Sequence, residues 1–544
     1  SNVLAEQEPM NNDLVHLINH FKTRLENSEN NWRAPLNILA YLSSHQAEYA
    51  ENPDDYDLNR SIGMFLADGT YEEAYAEPFL IKAVNENRND KYRLPLLRAM
   101  AKVFESIGDI ERECLVLEAA CRHSSVTTDL LNLAHSFLRL GKEKESSKIV
   151  GKVLSHFEKF SKETARELDR EVTQLIWPNR VICSRFGELA HFLDVYIKMR
   201  KLGLTPKVKA ILTTQPEWIS NRALLQYWQE QHSDEITILT DPQEVAEAEE
   251  TYNGCDVSTA YFRLPDGRAL HTNWGSIAVW NLWESSGRGP LLKLRDDHRE
   301  IGYEWLHRRG MPRDAWFVAL HVREAGYHGE QETGWIGNIH RDSQIEDYFP
   351  ALEAITQRGG WVVRIGDPSM TPLPPMDQVI DYAVAEERAE ELDVFFCAAA
   401  KFMFAVSSGG SAVANCFGTP VLGVNIFPSG DYPYSERDLF IHKRLHRRAT
   451  REFLNARETV EPPLRLMQSP RYYEEHDIDV VDNTPEELRE AVEEMMMRME
   501  GAFEMTKQDQ EDLHRYREMN DYPGIPSQST VATSFLRRHN HLIQ

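Results

Sequence analysis

The spacing of hydrophobic and polar positions changes twice along this 544-residue chain. Residues 1–172 place apolar side chains at the spacing of amphipathic helices and contain few prolines. Beyond them, short apolar runs that predict strands alternate with helical segments, first over residues 179–239 and again from Trp316 onward. Such alternation is typical of parallel sheets, so the sequence predicts an all-α region followed by two α/β halves.

A four-residue pattern recurs within the helical region. Its copies are Leu97, Ala101, Phe104 and Gly108; Leu130, Ala134, Phe137 and Gly141; and, more weakly, Leu58, Ile62, Phe65 and Gly69. The shift of 33 residues between the first two copies is close to the ~34-residue period of tetratricopeptide repeats, in which the glycine is expected to end the first helix of a pair. The second helices match poorly, and Pro78 is expected to interrupt one. We predict a tetratricopeptide-like solenoid, with a plain helical bundle as the alternative.

The first alternation predicts half of a doubly wound sheet. Its expected elements are a strand over 179–184, a helix over 187–202 ended by Gly203, a strand over 207–213, a helix over 222–231 and a strand over 235–239. Residues 242–315 follow no regular pattern, and 272–276 are expected to form a loop beside a cleft.

The second alternation predicts another half of the same kind. Strands are expected at 316–322, 361–365, 378–382, 402–406 and 421–424, and helices at 342–359, 389–400 and 411–417. The predicted fold class is α/β of GT-B type, an architecture of glycosyltransferases in which two Rossmann-like halves face a cleft, preceded by the all-α region. The predicted domains are 1–172 (helical), 173–310 and 311–500 (the two halves), and 501–544 (a helical tail).

Composition narrows the function. The formal net charge of −26 argues against general nucleic-acid binding, which needs a basic surface, although a local basic pocket for a nucleotide is compatible with it. The six cysteines form no CxxC pair, which indicates neither a zinc site nor a disulfide framework. Neither a run of about 18 apolar residues nor a secretory signal is visible, so we expect a cytoplasmic protein without a transmembrane segment.

Two candidate ligand-binding elements lie where predicted strands end. His321 and Arg323 are two residues apart on a strand, so their side chains point the same way. A serine- and glycine-rich loop joins a later strand to a helix and consists of Ser407, Ser408, Gly409, Gly410 and Ser411. Loops of this kind bind anions through backbone N–H groups, and strand carboxyl ends hold the ligand in open α/β sheets. Together they predict a diphosphate ligand, which we interpret as a nucleotide-sugar.

Three segments resemble known glycosyltransferases. FVALHVRE (317–324), HRDSQIEDYFPALEAITQRGGWVVRIGD (340–367) and ELDVFFCAAAKFMFAVSSGGSAVANCFGTPVLGVN (391–425) are similar to bacterial glycosyltransferases of the surface-polysaccharide type. The HxR element and the serine–glycine loop also resemble fucosyltransferases that use GDP-fucose. Residues 184–203 resemble the family's first βα unit more weakly. The helical region resembles the tetratricopeptide arms that are fused to other glycosyltransferases.

The donor is expected to bind on the second half. A guanidinium is always charged and can bond two oxygens at once, so Arg323 is expected to clamp the diphosphate and stabilise its developing charge. The resemblance to fucosyltransferases gives the arginine of HxR the same role. The other expected donor-binding side chains are His321, Arg341 and Arg364. The alternatives are an ion pair between Arg323 and Glu324 or Glu330, a structurally bonded His321, solvent or carboxylate partners for the other arginines, and an ordinary turn at 407–411.

An inverting transfer needs a general base, which is expected on the first half. Glu188 is the candidate because heptosyltransferases carry a Gly-Asp where this chain has Gly187 and Glu188, and His191 lies one helical turn away. The alternative for Glu188 is a carboxylate that only complements the helix dipole. We interpret the acidic pair at 296–297 as a solvated charge run, and no metal or other cofactor is expected.

The sequence therefore predicts a metal-independent glycosyltransferase that moves a hexosyl or deoxyhexosyl group from a nucleotide-sugar, with GDP favoured, to a glycan or protein acceptor. The helical arm is expected to bind a protein acceptor, a partner or a second copy of the chain, or else to stabilise the transferase. The alternative functions are a nucleotide-sugar epimerase and a non-catalytic tetratricopeptide scaffold with a degenerate transferase domain. The retained HxR and serine–glycine elements weigh against the scaffold.

Overall fold

The protein is described by a computed structural model that covers residues 14–27, 33–68, 73–86, 88, 90–124, 126–168, 173–176, 180–205, 209–251, 260–324, 340–521 and 526–544. These residues form two compact units. The first contains the described residues up to Ile149 together with Met467–His476, and the second contains the remainder. Within the described ranges, no helix is both long enough and apolar enough to cross a membrane.

The N-terminal region is helical, as predicted. Its helices are α1 (Leu14–Asn27), α2 (Arg33–Ser44), α3 (Gln46–Glu51), α4 (Tyr56–Ala67), α5 (Glu77–Asn85), α6 (Arg93–Ile107), α7 (Ile110–His123), α8 (Thr127–Arg139) and α9 (Glu143–Leu168). The repeated pattern falls on α4, α6 and α8, and each of these helices is followed by a partner. The apolar positions bury against one another because Leu97, Phe104 and Ala134 lie on the inward faces of α6 and α8.

Glycine and proline mark the ends of these helices for different reasons. Gly108 and Gly141 adopt φ values of 78° and 76° directly after the repeat helices, a conformation that glycine tolerates and other residues avoid. Gly69 lies outside the described residues. The expectation that Pro78 interrupts a helix is wrong, because Pro78 occupies the first turn of α5, where a missing N–H group costs no hydrogen bond.

The first α/β half is built on a small parallel sheet in the order β1-β2-β3. Its elements are β1 (Thr173–Ile176), α10 (Arg180–Ser184), α11 (Phe186–Leu202), β2 (Lys209–Thr213), α12 (Arg222–Gln231), β3 (Ile236–Leu239), α13 (Pro242–Thr251), β4 (Tyr261–Arg263), β5 (Ala269–His271), α14 (Thr272–Ser285) and α15 (Asp296–Arg308). The helices predicted over 187–202 and 222–231 and the strands predicted over 207–213 and 235–239 are confirmed by α11, α12, β2 and β3.

Two expectations for this half are wrong. The predicted strand over 179–184 falls largely on the helix α10, and the first strand lies earlier, at β1. The predicted loop at 272–276 instead begins α14, within a segment that also forms α13 and α15. The sequence concealed α14 because Trp274, Val279, Trp280 and most of their neighbours are buried, so the helix shows little contrast between an apolar and a polar face.

The second α/β half contains a seven-stranded parallel sheet in the order β15-β11-β10-β9-β6-β7-β8. From Trp316 onward the elements are β6 (Trp316–His321), α16 (Phe349–Gln357), β7 (Gly360–Arg364), β8 (Val379–Asp381), α17 (Glu390–Ala399), β9 (Met403–Ala405), α18 (Gly409–Cys416), β10 (Val421–Ile426), β11 (Leu439–His442), β12 (Arg444–Arg447), β13 (Glu452–Phe453), α19 (Ala456–Val460), α20 (Pro470–Glu475), β14 (Ile478–Val481), α21 (Pro485–Met499), α22 (Lys507–Met519), β15 (Thr530–Val531) and α23 (Thr533–Arg538). Of these, α20 belongs to the first compact unit. The strands predicted from 316 to 424 are confirmed by β6 to β10.

Two details of this half differ from the sequence expectations. The helix predicted from 342 begins only at Phe349, after a short 3-10 turn, with Pro350 in its first turn. The tail predicted to be helical also contributes β15, which pairs with β11 at the edge of the sheet. An edge strand of two residues is too short to leave a periodic signal in the sequence.

The strand order creates a switch point between β6 and β9. From β6 the chain continues through β7 and β8 on one side of the sheet, and from β9 through β10 and β11 on the other. In open α/β sheets, ligands bind in the crevice outside the carboxyl ends of the strands at such a point. The predicted fold class, two parallel-sheet halves after an all-α region, is confirmed, and the switch point of its second half lies between β6 and β9.

Candidate functional site

The ends of β6 and β9 bring the two predicted ligand-binding elements together. His321 lies opposite Ala405 in the parallel register, and the N–H of Val406 donates to the carbonyl of His321 at 3.2 Å. The serine–glycine loop begins at the next residue, Ser407. The structure therefore places HxR and the loop on either side of the switch point, as the sequence predicts.

The serine–glycine loop presents unsatisfied polar groups to the crevice. Ser408 precedes the first residue of α18, Gly409, and makes no side-chain cap hydrogen bond. The hydroxyl oxygens of Ser408 and Ser411 are buried without a hydrogen-bond partner among the described residues, and so is Nδ1 of His321. Buried polar atoms of this kind cost free energy unless a water or a ligand bonds them. The N-terminus of α18 adds partial positive charge at the same place.

A buried arginine and a half-buried arginine lie close together beside the loop. Arg323 is 7% exposed, and its Nε lies 3.5 Å from Oδ1 of Asp342. Arg341 donates from Nη2 to the carbonyl oxygen of Ser407 at 2.5 Å. Burial and the nearby charge of Arg323 lower the pKa of Arg341 to about 10. Two cations held this close in a partly desolvated crevice favour the binding of an anion.

His321 is held neutral in this cationic environment. Burial, followed by the charges of Arg323, Arg364 and Arg341, lowers the pKa of His321 to about 3. A neutral imidazole carries one N–H donor and one acceptor, so it can bond a ligand without adding a further positive charge. The structure thus makes His321 a polar contact of the crevice.

Arg364 has its partners within the protein. Its fully buried guanidinium pairs with Glu324, lies 3.2 Å from Oδ2 of Asp381, and donates to the carbonyl oxygen of Thr371 at 2.7 Å. This is the carboxylate-partnered alternative that the sequence left open. Among the described residues, no contact directs Arg364 toward a donor, and its role in donor binding stays a prediction.

The first half contributes the N-terminal turn of α11. The backbones of Gly187 and Gly409 approach so closely that a Cβ atom built on Gly187 would lie 2.3 Å from the Cα of Gly409. The approach places exposed Glu188 near enough to Arg341 for their charges to interact. His191, one turn on, stacks on Tyr434 with ring centroids 5.6 Å apart. Both predicted base candidates therefore lie near the switch point, at the contact between the halves.

Sequence reasoning missed two residues of this site, Asp431 and Tyr434. Both lie in the segment that follows β10 at the same carboxyl-end edge of the sheet. The hydroxyl of Ser407 donates to Asp431, whose carboxylate also interacts with the charges of Arg341 and His191. The rule that ligands gather at strand carboxyl ends could have found Asp431, since it follows the strand predicted at 421–424 by only a few residues.

The acidic pair at 296–297 lies elsewhere. It opens α15, and both carboxylate oxygens of Asp297 accept from Arg295, at 3.0 and 2.7 Å. Across the part of the chain that the structure describes, no group of three or more histidine, cysteine, aspartate or glutamate side chains is arranged to hold a metal ion.

Comparison with known proteins gives only distant structural likenesses. No family model matches the chain, and no curated protein does. The glycosyl transferase family 9 structure from Veillonella parvula DSM 2008 is 11% identical with a TM-score of 0.34, and covers 60% of this chain and 96% of its own. The E. coli ADP-heptose lps heptosyltransferase II is 12% identical with a TM-score of 0.32, covering 60% and 99%.

A mutant of the Thermobaculum terrenum O-GlcNAc transferase covers 98% of this chain and 97% of its own, at 10% identity and a TM-score of 0.25. At these identities and TM-scores, the likenesses carry no argument about the activity of this chain. The functional conclusion has to come from the residues at the switch point.

Proposed function

We propose that this protein is a glycosyltransferase that uses a nucleotide-sugar donor. The observation that carries the proposal is the convergence at the switch point of Arg323, Arg341, the N-terminus of α18 and the unpartnered hydroxyls of Ser408 and Ser411. Two cations, a helix N-terminus and free hydroxyl donors match the oxygens of a diphosphate. A single phosphate would leave part of this set unused.

In the proposed reaction, the diphosphate is the leaving group. As the sugar–oxygen bond to phosphate breaks, negative charge develops on the diphosphate, and Arg323 and Arg341 stabilise it. Glu188 or His191, across the crevice on α11, takes the proton of the acceptor hydroxyl as the new glycosidic bond forms. A base on the side opposite the leaving group favours inversion at the sugar carbon.

The arginines and the helix N-terminus supply the positive charge that a divalent cation supplies in other transferases, so we propose a metal-independent reaction. Transfer should therefore continue unchanged in EDTA. Loss of transfer on chelation, with recovery on adding Mg²⁺ or Mn²⁺, would contradict this part of the proposal.

We further propose a GDP-sugar as the donor, on the resemblance of HxR and the serine–glycine loop to fucosyltransferases that use GDP-fucose. A hexosyl or deoxyhexosyl group is then transferred to a glycan or protein acceptor. A clear thermal shift with UDP, ADP or CMP and none with GDP would refute the choice of base, while the diphosphate site would stand.

The test of the proposed function is incubation of the full chain with a panel of nucleotide-sugars. A transferase releases the nucleoside diphosphate slowly without acceptor and faster with it. Interconversion of the sugar without release would instead indicate an epimerase, and absence of binding across the panel would indicate a scaffold. Arg323→Ala serves as the control because it removes a diphosphate contact.

We propose that the helical arm binds the acceptor, a partner protein or a second copy of the chain, since stacked helix pairs offer an extended surface. Deleting residues 1–172 is a poor test, because Met467 and Tyr472 pack at Gly108 and would lose their neighbours. Leu115 and Val126, which are 41% and 49% exposed, offer surface positions instead. Replacing both with Asp should weaken transfer to the acceptor and spare donor hydrolysis. Equal transfer would exclude this part of the arm from acceptor binding.

A cytoplasmic location stays a prediction.

A further inference from the structure

The segment between β10 and β11 is fixed in shape by its own hydrogen bonds. The N–H of Asp431 donates to the carbonyl of Pro428 at 3.0 Å, and Nε2 of His442 donates to the carbonyl of Asp431 at 2.8 Å. Farther along, the N–H groups of Tyr434 and Ser435 donate to Oδ2 of Asp438, at 3.1 and 2.9 Å. Asp431 and Tyr434 therefore lie on a backbone segment that hydrogen bonds fix at both ends.

The carboxylate of Asp431 lies where the two halves meet. Ser407 donates a hydrogen bond to it from the serine–glycine loop, and the charges of Arg341 and His191 interact with it. The hydroxyl of Ser407 is itself placed by the N–H of Phe427, which donates to it at 3.4 Å. One carboxylate of the second half thus lies close enough to an imidazole of the first half for their charges to interact.

Tyr434 holds the same imidazole by its ring face. Its phenol ring stacks on His191, with centroids 5.6 Å apart and an interplanar angle of 16°, and on Trp280, at 5.3 Å and 11°. The phenol hydroxyl is hydrogen-bonded to Ser276 of α14. These two ring contacts fix the orientation of the Tyr434 ring, which in turn supports His191.

We propose that Asp431 and Tyr434 are positioning residues that hold the His191 imidazole as the general base of the transfer reaction. This inference rests on the proposed function and selects His191 over Glu188. The physical reason is that a base works best when a third group fixes its orientation and stabilises the charge it gains. Glu188 is exposed, and its charge interacts with that of Arg341.

The proton balance follows from this arrangement. His191 accepts the proton of the acceptor hydroxyl while the acceptor oxygen bonds to the sugar carbon. The bond from that carbon to the phosphate oxygen breaks, and its electron pair leaves with the diphosphate beside Arg323 and Arg341. Asp431 stabilises the imidazolium that forms and gives up no proton of its own.

The inference predicts a pH dependence. Burial raises the pKa of Asp431, against the influence of Ser407, Arg341 and His191. Tyr434 lies near the Asp431 carboxylate in the same segment, and Glu188 is close enough to Arg341 for their charges to interact. His442 binds only the backbone carbonyl of Asp431. Asp431 supports His191 only when it is ionised, and His191 acts as a base only when it is neutral, so both groups contribute to the loss of transfer at acidic pH.

The test uses the full chain and the variants Asp431→Asn and Tyr434→Leu, with Glu436→Gln as the matched control. Glu436 is an exposed carboxylate in the same segment. Three quantities are measured: GDP binding, sugar transfer as a function of pH, and the NMR signals of ¹³C-labelled histidine. The His191 signal is identified by its disappearance in His191→Gln, and the remaining histidine signals report whether each variant is folded.

We expect both variants to move the His191 signal, because one loses a neighbouring charge and the other a stacked ring. We expect transfer to fall about tenfold to a hundredfold, on the scale of general-base catalysis, with GDP binding retained. The acidic limb of the pH profile should lose the contribution of Asp431 in Asp431→Asn and keep that of His191, and Glu436→Gln should match the parent protein.

Two results would overturn the inference. An unmoved His191 signal in both folded variants would show that neither residue holds it. Unchanged transfer in Asp431→Asn would show that the contact has no part in the reaction. If the His191 signal moves but the parent protein transfers no sugar, the proposed function fails, and the positioning role in catalysis fails with it, while the contact itself stands.

Discussion

Two arginine clusters lie at the same edge of the seven-stranded sheet, and they differ in what surrounds the charge. Arg364, at the end of β7, is fully buried between Glu324 and Asp381 and also donates to a backbone carbonyl. Arg323 and Arg341, at the end of β6, lie near each other, and burial together with Arg323 lowers the pKa of Arg341 to about 10. The first cluster has two carboxylates for one guanidinium, whereas the second brings two guanidinium groups together, with the carboxylate of Asp342 beside Arg323.

The difference separates a structural cation from a ligand-binding one. When a buried guanidinium has its carboxylate partners in place, removing any one of them destabilises the folded protein. Such a guanidinium has a role in stability. We propose a binding role for the second cluster, because two neighbouring guanidinium groups and two hydroxyls without a partner among the described residues would stabilise an anion. The same residue type at neighbouring strand ends can therefore serve either purpose, and only its surroundings tell them apart.

The largest expected effect is on stability at the first cluster. Arg364→Ala leaves Glu324 and Asp381 without their cation, and breaking a buried ion pair in this way costs about 3–5 kcal/mol. We expect a marked fall in the thermal unfolding temperature of the second unit, measured by calorimetry. An unchanged unfolding temperature combined with lost GDP binding would show that Arg364 contacts the ligand. The two arginine clusters would then not differ in role.

The next effect is on the reaction at the second cluster. Arg323→Ala should reduce transfer by about 100-fold or more, the scale of losing one preorganised donor, with a smaller change in unfolding temperature than Arg364→Ala gives. Arg323→Lys should recover little, because an ammonium group lacks the two-pronged geometry of a guanidinium. Steady-state kinetics of both variants checks this, and near-parental turnover of Arg323→Ala would remove Arg323 from the site.

A smaller effect is expected where the halves touch. In Gly187→Ala the new methyl group would meet the backbone of Gly409, which has no flexible side chain to move aside. We expect transfer to fall by about 10-fold to 100-fold through misplacement of Glu188 and His191, with GDP binding retained. Gly289→Ala is the control, because nothing lies within 4 Å of a Cβ at that position. Equal rates in the two variants would show that the approach of the halves does not matter for transfer.

The smallest effect is expected at the serine–glycine loop. Ser408→Ala combined with Ser411→Ala removes two buried hydroxyls that have no partner among the described residues, so the unliganded protein should be as stable as the parent or slightly more so. Affinity for GDP should fall about tenfold, since each neutral hydrogen bond contributes about 0.5–1.5 kcal/mol. Titration calorimetry measures this, and an unchanged affinity would place the diphosphate elsewhere.

The sequence was sufficient for the elements whose patterns are local. The run from Trp316 to His321, the helix ended by Gly203 and the loop from Ser407 to Ser411 each carry their own signal, and the structure has the elements there. It was insufficient where burial is uniform, as in α14, and where strands are only two to four residues long, as in β12 to β15.

The site was predictable to a similar extent and for similar reasons. HxR and the serine–glycine loop are short and contiguous, and the rule for strand carboxyl ends was enough to place them together. The partners of Arg364 are brought in by long-range pairing with Glu324 and Asp381, which no local pattern reveals. Asp431 and Tyr434 belong to the site only because they lie near His191 of α11, and this nearness depends on the packing of the two halves.

The most direct test of the central claim is titration calorimetry of GDP with the parent protein, Arg323→Ala and Arg364→Ala, carried out where all three are folded. We predict one binding site in the parent, a loss of affinity of about 10-fold to 100-fold in Arg323→Ala, on the scale of a charge-assisted hydrogen bond, and near-parental affinity in Arg364→Ala. Equal affinity for the parent and Arg323→Ala, or absence of binding to the parent for GDP, UDP, ADP and CMP alike, would contradict a diphosphate site at the switch point.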